Sequence, residues 1–336
     1  MKTLPDFSNI AQLAQLIQQS PETAHQLAEK APDEFEQVLQ LASFPLLRYQ
    51  PFGDTLGDGN QCQLGIHRSP ARNRWAVTGN RCGKTLGLCM EDVADCLGLD
   101  VVTKGPSNRF EPPIAVWIVS ETEDASIEIV QRMVAHDILG PSDSYGWNLV
   151  HDGSHYSEKS GFSDNALLFA NGSRIEFKYC SAQRSNKNAF AGRKVHKVHF
   201  DEEPYHEVYN ECYARTIDYE GQLVGTMTPI YDRNHGLPWI FNELYVPRER
   251  KNIEFHNWSL FHNPHITENA KRMLLAEWDE DEIDARVYGM FTPVGIELAY
   301  ARQMIRELRQ ACHAPKVGDL FLNERGEIHF DQKEAA

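Results

Sequence analysis

The stretch that decides the fold of this chain lies at residues 75–85 and reads Trp75-Ala76-Val77-Thr78-Gly79-Asn80-Arg81-Cys82-Gly83-Lys84-Thr85. A short apolar run leads into a polar loop, and residues 86–97 continue with a helical pattern. A loop between a strand and a helix can present successive backbone N–H groups to phosphate, and the helix N-terminus adds partial positive charge. This stretch therefore predicts a phosphate-binding loop (P-loop) at the end of a buried strand.

Individual positions of the loop have specific chemical uses. Gly83 lets the backbone curl, Lys84 can reach the β- and γ-phosphates, and Thr85 can offer its hydroxyl to Mg²⁺. We therefore expect the whole loop to contact a nucleoside triphosphate: Thr78, Gly79, Asn80, Arg81, Cys82, Gly83, Lys84 and Thr85. Thr78 stands where the pattern usually has glycine. The competing interpretation is an ordinary strand–turn–helix corner with an exposed lysine.

A second motif follows another apolar run and reads Asp201-Glu202-Glu203-Pro204. Asp201 is suited to hold Mg²⁺ through its water shell, and Glu202 is suited to orient or deprotonate the attacking water. Two histidines, His196 and His199, make this strand less apolar than a central strand usually is. The competing interpretation is a solvated acidic turn.

A third motif reads Gly225-Thr226-Met227-Thr228-Pro229. It has the form of a strand that runs into a turn, so the hydroxyls of Thr226 and Thr228 would stand at the strand end. Beside the metal site, these hydroxyls could detect whether a γ-phosphate is present. A plain strand capped by a turn is the alternative.

The order of elements along the chain predicts the fold class. Short apolar runs alternate with longer helical stretches, and they lie at residues 75–78, 114–120, 173–179, 195–201 and 222–228. Strands that alternate with helices indicate an α/β fold with a mainly parallel sheet covered on both faces. With the phosphate loop, this predicts a P-loop NTPase of the RecA/ASCE-like class.

The same pattern predicts the domain organisation. We expect four parts: a helical N-terminal segment at residues 1–50, a P-loop ATPase core at 51–249, a small helical lid or linker at 250–295, and a tail at 296–336. Within the core, residues 51–73 are rich in Gly, Pro, Asn and Asp and are predicted to form a loop. Gly289 is placed to end a helix in the left-handed conformation.

Composition narrows the class of protein. The net charge of −15 disfavours a protein that coats nucleic acid by bulk electrostatics, although a local patch could still touch DNA. No apolar run approaches the roughly 20 residues of a membrane span, and the N-terminus has no secretory signal. The seven cysteines are scattered, which predicts buried thiols in a reducing compartment such as the cytoplasm. Cys82 is the exception, because we expect alkylating reagents to reach it in the loop.

Taken in order, these motifs resemble the large subunit of tailed-bacteriophage terminases, the motors that package DNA into procapsids. The resemblance covers roughly residues 49–291. It also includes four shorter motifs, namely Gln63-Leu64-Gly65-Ile66-His67, Phe190-Ala191-Gly192, Asn263-Pro264-His265 and Arg286-Val287-Tyr288-Gly289-Met290-Phe291.

The resemblance implies a role for each motif. Lys84 and Thr85 would bind phosphate and Mg²⁺, Asp201 would hold the metal, and Glu202 would be the catalytic carboxylate. The hydroxyls of residues 226 and 228 would belong to the coupling motif that links hydrolysis to DNA movement.

A glutamine upstream of the P-loop reads adenine in many relatives. Gln63 fits this role best, and Gln61 and Gln50 are the alternatives. A side-chain amide suits the role because it can both donate to and accept from the purine edge.

The position of the arginine finger departs from the family pattern. Many relatives carry an arginine at the position that Asn80 occupies here, and in this chain the arginine is Arg81, one place later. The finger is therefore assigned to Arg81 or, in the loop before the Asp-Glu strand, to Arg184 or Arg193.

The resemblance also implies partners: double-stranded DNA, a portal protein, a terminase small subunit, and copies of this chain in a ring of five on the portal. A monomer in solution and the cytoplasm of a bacterial host are consistent with it, and no membrane is involved. The 45 residues after Phe291 are too few for the nuclease domain that usually follows, so we expect the truncated start of that domain and no nuclease activity.

Two other classes of function are alternatives. A helicase-like DNA-dependent ATPase also uses a P-loop and an Asp-Glu pair, but it needs a second lobe, for which the 107 residues after Pro229 are few. A prophage remnant that binds nucleotide without hydrolysis is the other class, and the intact Lys84, Thr85, Asp201 and Glu202 argue against it.

Overall fold

The computed structural model describes residues 13, 20–53, 62–180, 190, 192–230, 238–278, 280–291, 318–322 and 328–332. The chain divides into two compact units, Met1–Phe291 and Thr292–Ala336. In the first unit the strands are β1 (Asn73–Val77), β2 (Ala115–Ser120), β3 (Tyr156–Ser157), β4 (Gly161–Phe162), β5 (Ala166–Leu168), β6 (Arg174–Tyr179), β7 (Lys197–Asp201), β8 (Gln222–Met227) and β9 (Ile253–His256).

Seven of these strands form one sheet in the order β5-β6-β2-β7-β8-β1-β9, and β3 pairs with β4 in a small separate hairpin. Strand β5 is antiparallel to β6, and every other neighbouring pair in the sheet is parallel. The prediction of a mainly parallel α/β sheet is confirmed. Strand β8 lies between β1 and β7, so the strand that leads into the P-loop is not adjacent to the strand that carries the Asp-Glu pair.

Ten helices accompany the strands within the described ranges of the first unit. They are α1 (Pro21–Lys30), α2 (Pro32–Ala42), α3 (Pro45–Arg48), α4 (Cys62–Arg68), α5 (Lys84–Leu97), α6 (Glu123–Ala125), α7 (His206–Thr216), α8 (Arg248–Lys251), α9 (Glu268–Glu277) and α10 (Glu280–Tyr288). Helix α6 continues into π-helical turns at Ser126–Gln131 and Val134–Ile138, and a further π-helical turn lies at Phe241–Tyr245. Short 3-10 turns lie at Tyr145–Leu149, Ser163–Asn165, Ile217–Tyr219 and Leu260–His262.

The hydrophobic core lies on both faces of the sheet. Because side chains alternate along a strand, Val116 and Ile118 of β2 pack into one cluster, while Trp117 and Val119 pack into another. Helix α5 covers the first face and helix α7 covers the second. Burial on both faces explains why the sequence shows nearly continuous apolar runs.

The prediction of a loop over residues 51–73 is wrong in its second half, where helix α4 forms. Gly65 and the polar neighbours weaken the local helical pattern, but Gly65 and Ile66 are buried against the core. Tertiary packing therefore outweighs local propensity at this position.

Strand β9 was not predicted. It pairs in parallel with β1 at the edge of the sheet, so the core sheet extends past the expected limit at residue 249. Its polar residues Glu254 and His256 give it no clear apolar run. Beyond β9 the chain is helical at α9 and α10, and Gly289 follows α10 with a φ of +64°, which confirms its predicted left-handed conformation.

In the second unit, the described residues form an antiparallel hairpin of strands β10 (Gly318–Leu322) and β11 (Ile328–Gln332). Across all the ranges given above, the structure contains no helix that is both long enough and apolar enough to cross a membrane.

Candidate active site

The P-loop leaves the end of β1 and enters α5. The N–H group of Thr78 donates to the carbonyl of Met227, which ties the end of β1 to β8 (3.0 Å). The backbone is left-handed at Arg81 (φ +59°) and at Gly83 (φ +74°). Such reversals curl a loop so that its N–H groups face inward, and glycine adopts this conformation without strain.

Lys84, the first residue of α5, reaches across the site to two other motifs. Its Nζ atom donates to Thr228 Oγ1 at 2.9 Å and lies 3.1 Å from Glu202 Oε1. The backbone N–H of Thr228 donates to Glu202 Oε2 at 3.0 Å, and the Thr228 hydroxyl donates to Asn80 Oδ1 at 3.0 Å. The fold thus brings the three sequence motifs together around Thr228.

Thr85 and Asp201 form the second half of the site. The Thr85 hydroxyl donates to Asp201 Oδ1 at 2.8 Å, and the Thr226 hydroxyl donates to the same oxygen at 3.1 Å. All of these atoms are oxygens, and oxygen ligands are the ones that Mg²⁺ prefers. The donor set therefore fits a magnesium ion at Thr85 and Asp201.

Glu202 has an unusual backbone conformation. Its φ of +72° lies in the left-handed region, which non-glycine residues seldom adopt outside functional sites and turns. Its N–H donates to the carbonyl of Thr226 (2.9 Å), which holds this turn against β8. Burial raises the pKa of the Glu202 carboxyl above its ordinary value, Lys84 opposes the rise, and Asp201 adds to it.

The two candidate arginines that the structure describes, Arg81 and Arg193, lie apart from each other. The side chain of Arg81 is exposed at the tip of the P-loop. Arg193 is bound to Glu176 Oε1 on β6 at 2.9 Å, and β2 separates β6 from β7. Arg184 lies outside the described residues, so its role stays a prediction.

The amide of Gln63 contacts the P-loop backbone. Its Nε2 donates to the carbonyl of Gly83 at 2.7 Å, its Oε1 accepts from the N–H of Phe52 at 3.4 Å, and the residue is 4% exposed. The adenine-reading role of Gln63 stays a prediction. Of the two alternatives, Gln50 is exposed to solvent and Gln61 lies outside the described residues.

The expectation that reagents reach Cys82 is wrong. Its side chain is fully buried in a cluster that includes Ile66, Leu88 and Trp258. Burial raises the pKa of the Cys82 thiol to about 12, so the reactive thiolate is scarce at neutral pH. Cys82 contributes packing beneath the loop, and its backbone is the part available to phosphate.

Two glycines allow α10 to approach the P-loop closely. A Cβ atom on Gly79 would lie 2.5 Å from the carbonyl oxygen of Arg286, and a Cβ on Gly289 would lie 2.4 Å from the Cα of Thr78. The N–H of Asn80 donates to the same Arg286 carbonyl at 2.6 Å. Residues 286–291, quoted above for their resemblance to the family, therefore pack directly on the loop.

A buried ionic network lies beneath the site, between α5 and the sheet. The ammonium of Lys197 on β7 contacts Glu91 Oε1 (2.6 Å), Asp92 Oδ1 (2.8 Å) and Asp95 Oδ2 (2.8 Å), all on α5. Although burial disfavours the ammonium, the three carboxylates raise the pKa of Lys197. The charges thus join the P-loop helix to the strand that carries the Asp-Glu pair.

The network extends to β1 and to histidines. Arg74 on β1 and Arg109 both bind Glu91 Oε1, at 2.6 and 2.9 Å, and His199 on β7 binds Asp92 at 2.7 Å. Three cations therefore face three carboxylates inside the protein. Sequence reasoning missed this network, although the acidic residues of α5 (Glu91, Asp92 and Asp95) and Lys197 of β7 are visible in the sequence.

The sheet order and the site together define the class of this protein. The P-loop follows β1, Asp201 and Glu202 end β7, and β8 lies between these strands with Thr226 and Thr228 at its end. This arrangement is the RecA/ASCE-like P-loop NTPase fold, as the sequence predicted.

Comparison with known proteins identifies the family. The profile described as "Terminase large subunit, T4likevirus-type, N-terminal" matches residues 76–292, and the chain belongs to this family. The terminase large subunit of Salmonella phage P22 is 26% identical over 240 residues, which cover 65% of this chain and 47% of that protein.

Solved structures agree on the fold. The large terminase of the thermophilic bacteriophage D6E matches with a TM-score of 0.52 at 15% identity, over 72% of this chain and 54% of that one. A structure of the same terminase in complex with ADP matches with a TM-score of 0.51 at 16% identity, with the same coverage of both chains. This chain thus spans about half the length of these relatives.

Proposed function

We propose that this chain hydrolyses ATP with Mg²⁺ and that hydrolysis drives double-stranded viral DNA into a procapsid. The observation that carries the proposal is the convergence of Lys84, Thr85, Asp201 and Glu202 within hydrogen-bond distance of one another or of Thr228. Membership of the terminase large-subunit family supports it, and so does the ADP complex of the D6E terminase.

Thr85 and Asp201 are the residues that would hold Mg²⁺. An ion held there would supply positive charge that offsets the negative charge developing on the transferred phosphoryl group. The hydrogen bond between Thr85 and Asp201 fixes both oxygens in advance on rigid elements, the start of α5 and the end of β7.

Lys84 and Glu202 would change partners when ATP binds. In the structure Lys84 is paired with Glu202, and a γ-phosphate beside Lys84 would compete for that ammonium. Release of the carboxylate would leave Glu202 free to orient or deprotonate the attacking water. Thr228 contacts Lys84, Asn80 and Glu202, so it is placed to register the exchange and transmit it along β8.

An arginine would stabilise the charge that develops in the transition state. Arg81, which is exposed on the loop, and Arg184, in the segment before β7, are the two candidates. An exposed arginine suits a site that is completed by a neighbouring subunit in a ring.

The family supplies the wider assignment. Portal protein, terminase small subunit and a ring of five copies of this chain are the partners that we propose, in the cytoplasm of a bacterial host. Helices α9 and α10, which follow the edge strand β9, would act as the lid that moves with the nucleotide.

The test measures ATP hydrolysis by the purified protein with and without double-stranded DNA, and DNA packaging when the protein is assembled with portal-bearing procapsids. We expect DNA-stimulated hydrolysis and ATP-dependent protection of DNA from nuclease inside the procapsid. ATP binding without any hydrolysis, even in the assembled state, would contradict the proposal. DNA unwinding without a portal would support a helicase instead.

A further inference from the structure

The carbonyl groups of the P-loop are held from the outside by side-chain donors. The donors come from α4 and from the segment after β9, and the contacts are Asn257 Nδ2 to Val77 O (2.8 Å), Asn263 Nδ2 to Arg81 O (2.7 Å), Trp258 Nε1 to Cys82 O (2.9 Å) and Gln63 Nε2 to Gly83 O (2.7 Å). We call the last three side chains, Gln63, Trp258 and Asn263, the outer cradle. They bind three consecutive carbonyls of the loop.

Consecutive carbonyls with partners on one side have a direct consequence for phosphate binding. A loop that turns its N–H groups toward phosphate must turn the carbonyls of the same peptide units outward. The Gly83 carbonyl also accepts from the N–H of Gly87 in α5 at 3.1 Å, so Gln63 is its second donor. At Arg81 and Cys82 the side chains of Asn263 and Trp258 are the donors. A buried carbonyl without a donor costs about 1–3 kcal/mol, so a loop without Asn263 and Trp258 would tend to rotate these two peptide units. The outer cradle removes that tendency.

Each cradle side chain is itself fixed in orientation. The Oδ1 atom of Asn263 accepts from the N–H of His265 at 2.9 Å, and the Oε1 atom of Gln63 accepts from the N–H of Phe52. These contacts leave the amide nitrogens facing the loop. Trp258 is 2% exposed and is enclosed by the cluster that also contains Cys82.

We propose that Gln63, Trp258 and Asn263 are positioning residues that hold the P-loop in its phosphate-binding form. Their contribution to affinity then depends on the triphosphate and is independent of the base. For Gln63 this role differs from reading adenine, because its amide donates to Gly83. The inference rests on the proposed function, since it requires that the loop binds a nucleoside triphosphate.

The chain contains close structural controls for two of the cradle residues. The indole of Trp147 donates to the carbonyl of Gly140 at 2.9 Å, as that of Trp258 does to Cys82. The amide of Asn171 donates to the carbonyl of Cys96 at 2.8 Å and accepts from the N–H of Ser173 at 2.9 Å, which is the same pair of bonds that Asn263 makes. Neither control contacts the P-loop.

The experiment measures dissociation constants of ATP, GTP and inorganic tripolyphosphate by calorimetric titration. The variants are Trp258→Phe, Asn263→Leu and Gln63→Met, and the controls are Trp147→Phe and Asn171→Leu. We expect Trp258→Phe and Asn263→Leu to weaken all three ligands by about tenfold, because one hydrogen bond to the loop is lost. Gln63→Met should weaken them by about two- to threefold, because the Gly83 carbonyl keeps its bond from Gly87, and the controls should bind like the wild type. Thermal melts confirm that each variant is folded.

Trp258→Phe is the decisive variant, because it keeps an aromatic ring in the core and removes the donor, while Trp147→Phe removes the same atoms away from the loop. Equal affinities for the wild type and all cradle variants would overturn the inference. A loss in Gln63→Met that is confined to ATP would overturn it for Gln63 and establish adenine reading. A wild type that binds none of the three ligands would contradict the proposed function itself and remove the basis of the inference.

Discussion

The ammonium of Lys84 lies 3.1 Å from Oε1 of Glu202, so the cation that would bind phosphate is paired with the carboxylate that would activate water. In this arrangement the ammonium and the carboxylate are paired with each other. Glu202 is 38% exposed on its side chain, so solvent screens the pair, and its contribution is about 0.2–1 kcal/mol.

This pairing predicts the effect of Glu202→Gln on binding. The substitution removes the competitor for Lys84, so ATP should bind about two- to fivefold more tightly. Calorimetric titration of ATP into both proteins measures the change. Weaker binding to Glu202→Gln would show that the ion pair does not oppose the nucleotide.

The contact between Thr85 and Asp201 predicts magnesium dependence. Replacing Asp201 by Asn, or Thr85 by Val, should reduce the enhancement of ATP binding by Mg²⁺ by at least about 10–100-fold, because removing even the outer partners of a bound metal has an effect of that size. ATP is titrated with Mg²⁺ and with a chelator in its place. Thr85→Ser keeps the hydroxyl and should behave like the wild type, whereas an equal loss in Thr85→Ser would contradict the assigned role.

The buried ionic network beneath the P-loop predicts that replacing Lys197 strongly lowers the stability of the protein. Lys197→Met leaves the carboxylates of Glu91, Asp92 and Asp95 short of one buried cation and should lower the free energy of unfolding by about 3–5 kcal/mol. Lys194→Met removes an exposed pair with Asp218 and should cost about 0–1 kcal/mol. Denaturant unfolding of both variants provides the comparison, and similar losses would contradict the assigned strength of the network.

The raised pKa of the Glu203 carboxyl predicts that the stability of the protein depends on pH. Burial raises the pKa of its carboxyl to about 7, against the backbone N–H groups of Ile240 and Trp239, which lower it. The folded state therefore favours the protonated carboxyl, and ionisation removes stability as the pH rises from about 4.5 to about 7.

Glu203→Gln removes this ionisation but keeps an oxygen that can accept from Ile240. The variant should melt at a higher temperature than the wild type at about pH 8, and the difference should shrink toward about pH 5. Melting curves of both proteins at the two pH values test this difference. A difference that grows as the pH falls would show that the sign is wrong.

Much of the fold could be predicted because local pattern and tertiary environment agree. The predicted runs at 114–120 and 222–228 correspond to Ala115–Ser120 and Gln222–Met227, which lie in the buried middle of the sheet. The carboxyl ends of parallel strands meet at one edge, so motifs that follow strands converge there. The meeting of Lys84, Asp201 and Thr228 follows from this geometry.

The features that sequence reasoning missed depend on distant partners. Lys197 and His199 look like interruptions of an apolar strand, and their explanation is the row of acids on α5, about a hundred residues earlier. Asn257 and Trp258 follow a strand with little apolar character, and their use appears once β9 pairs with β1 beside the loop. Helix α4 was missed because packing against the core stabilises it, whereas its local sequence does not indicate a helix.

We propose that Glu202 is the carboxylate that activates water for ATP hydrolysis. The most direct measurement is the single-turnover rate of ATP hydrolysis by the wild type, Glu202→Gln and the neighbouring Glu203→Gln, with ATP binding confirmed for each. We expect Glu202→Gln to hydrolyse ATP about 10²–10⁴-fold more slowly while it still binds ATP, and Glu203→Gln to keep a rate near that of the wild type. A wild-type rate of ATP hydrolysis in Glu202→Gln would contradict this catalytic role of Glu202.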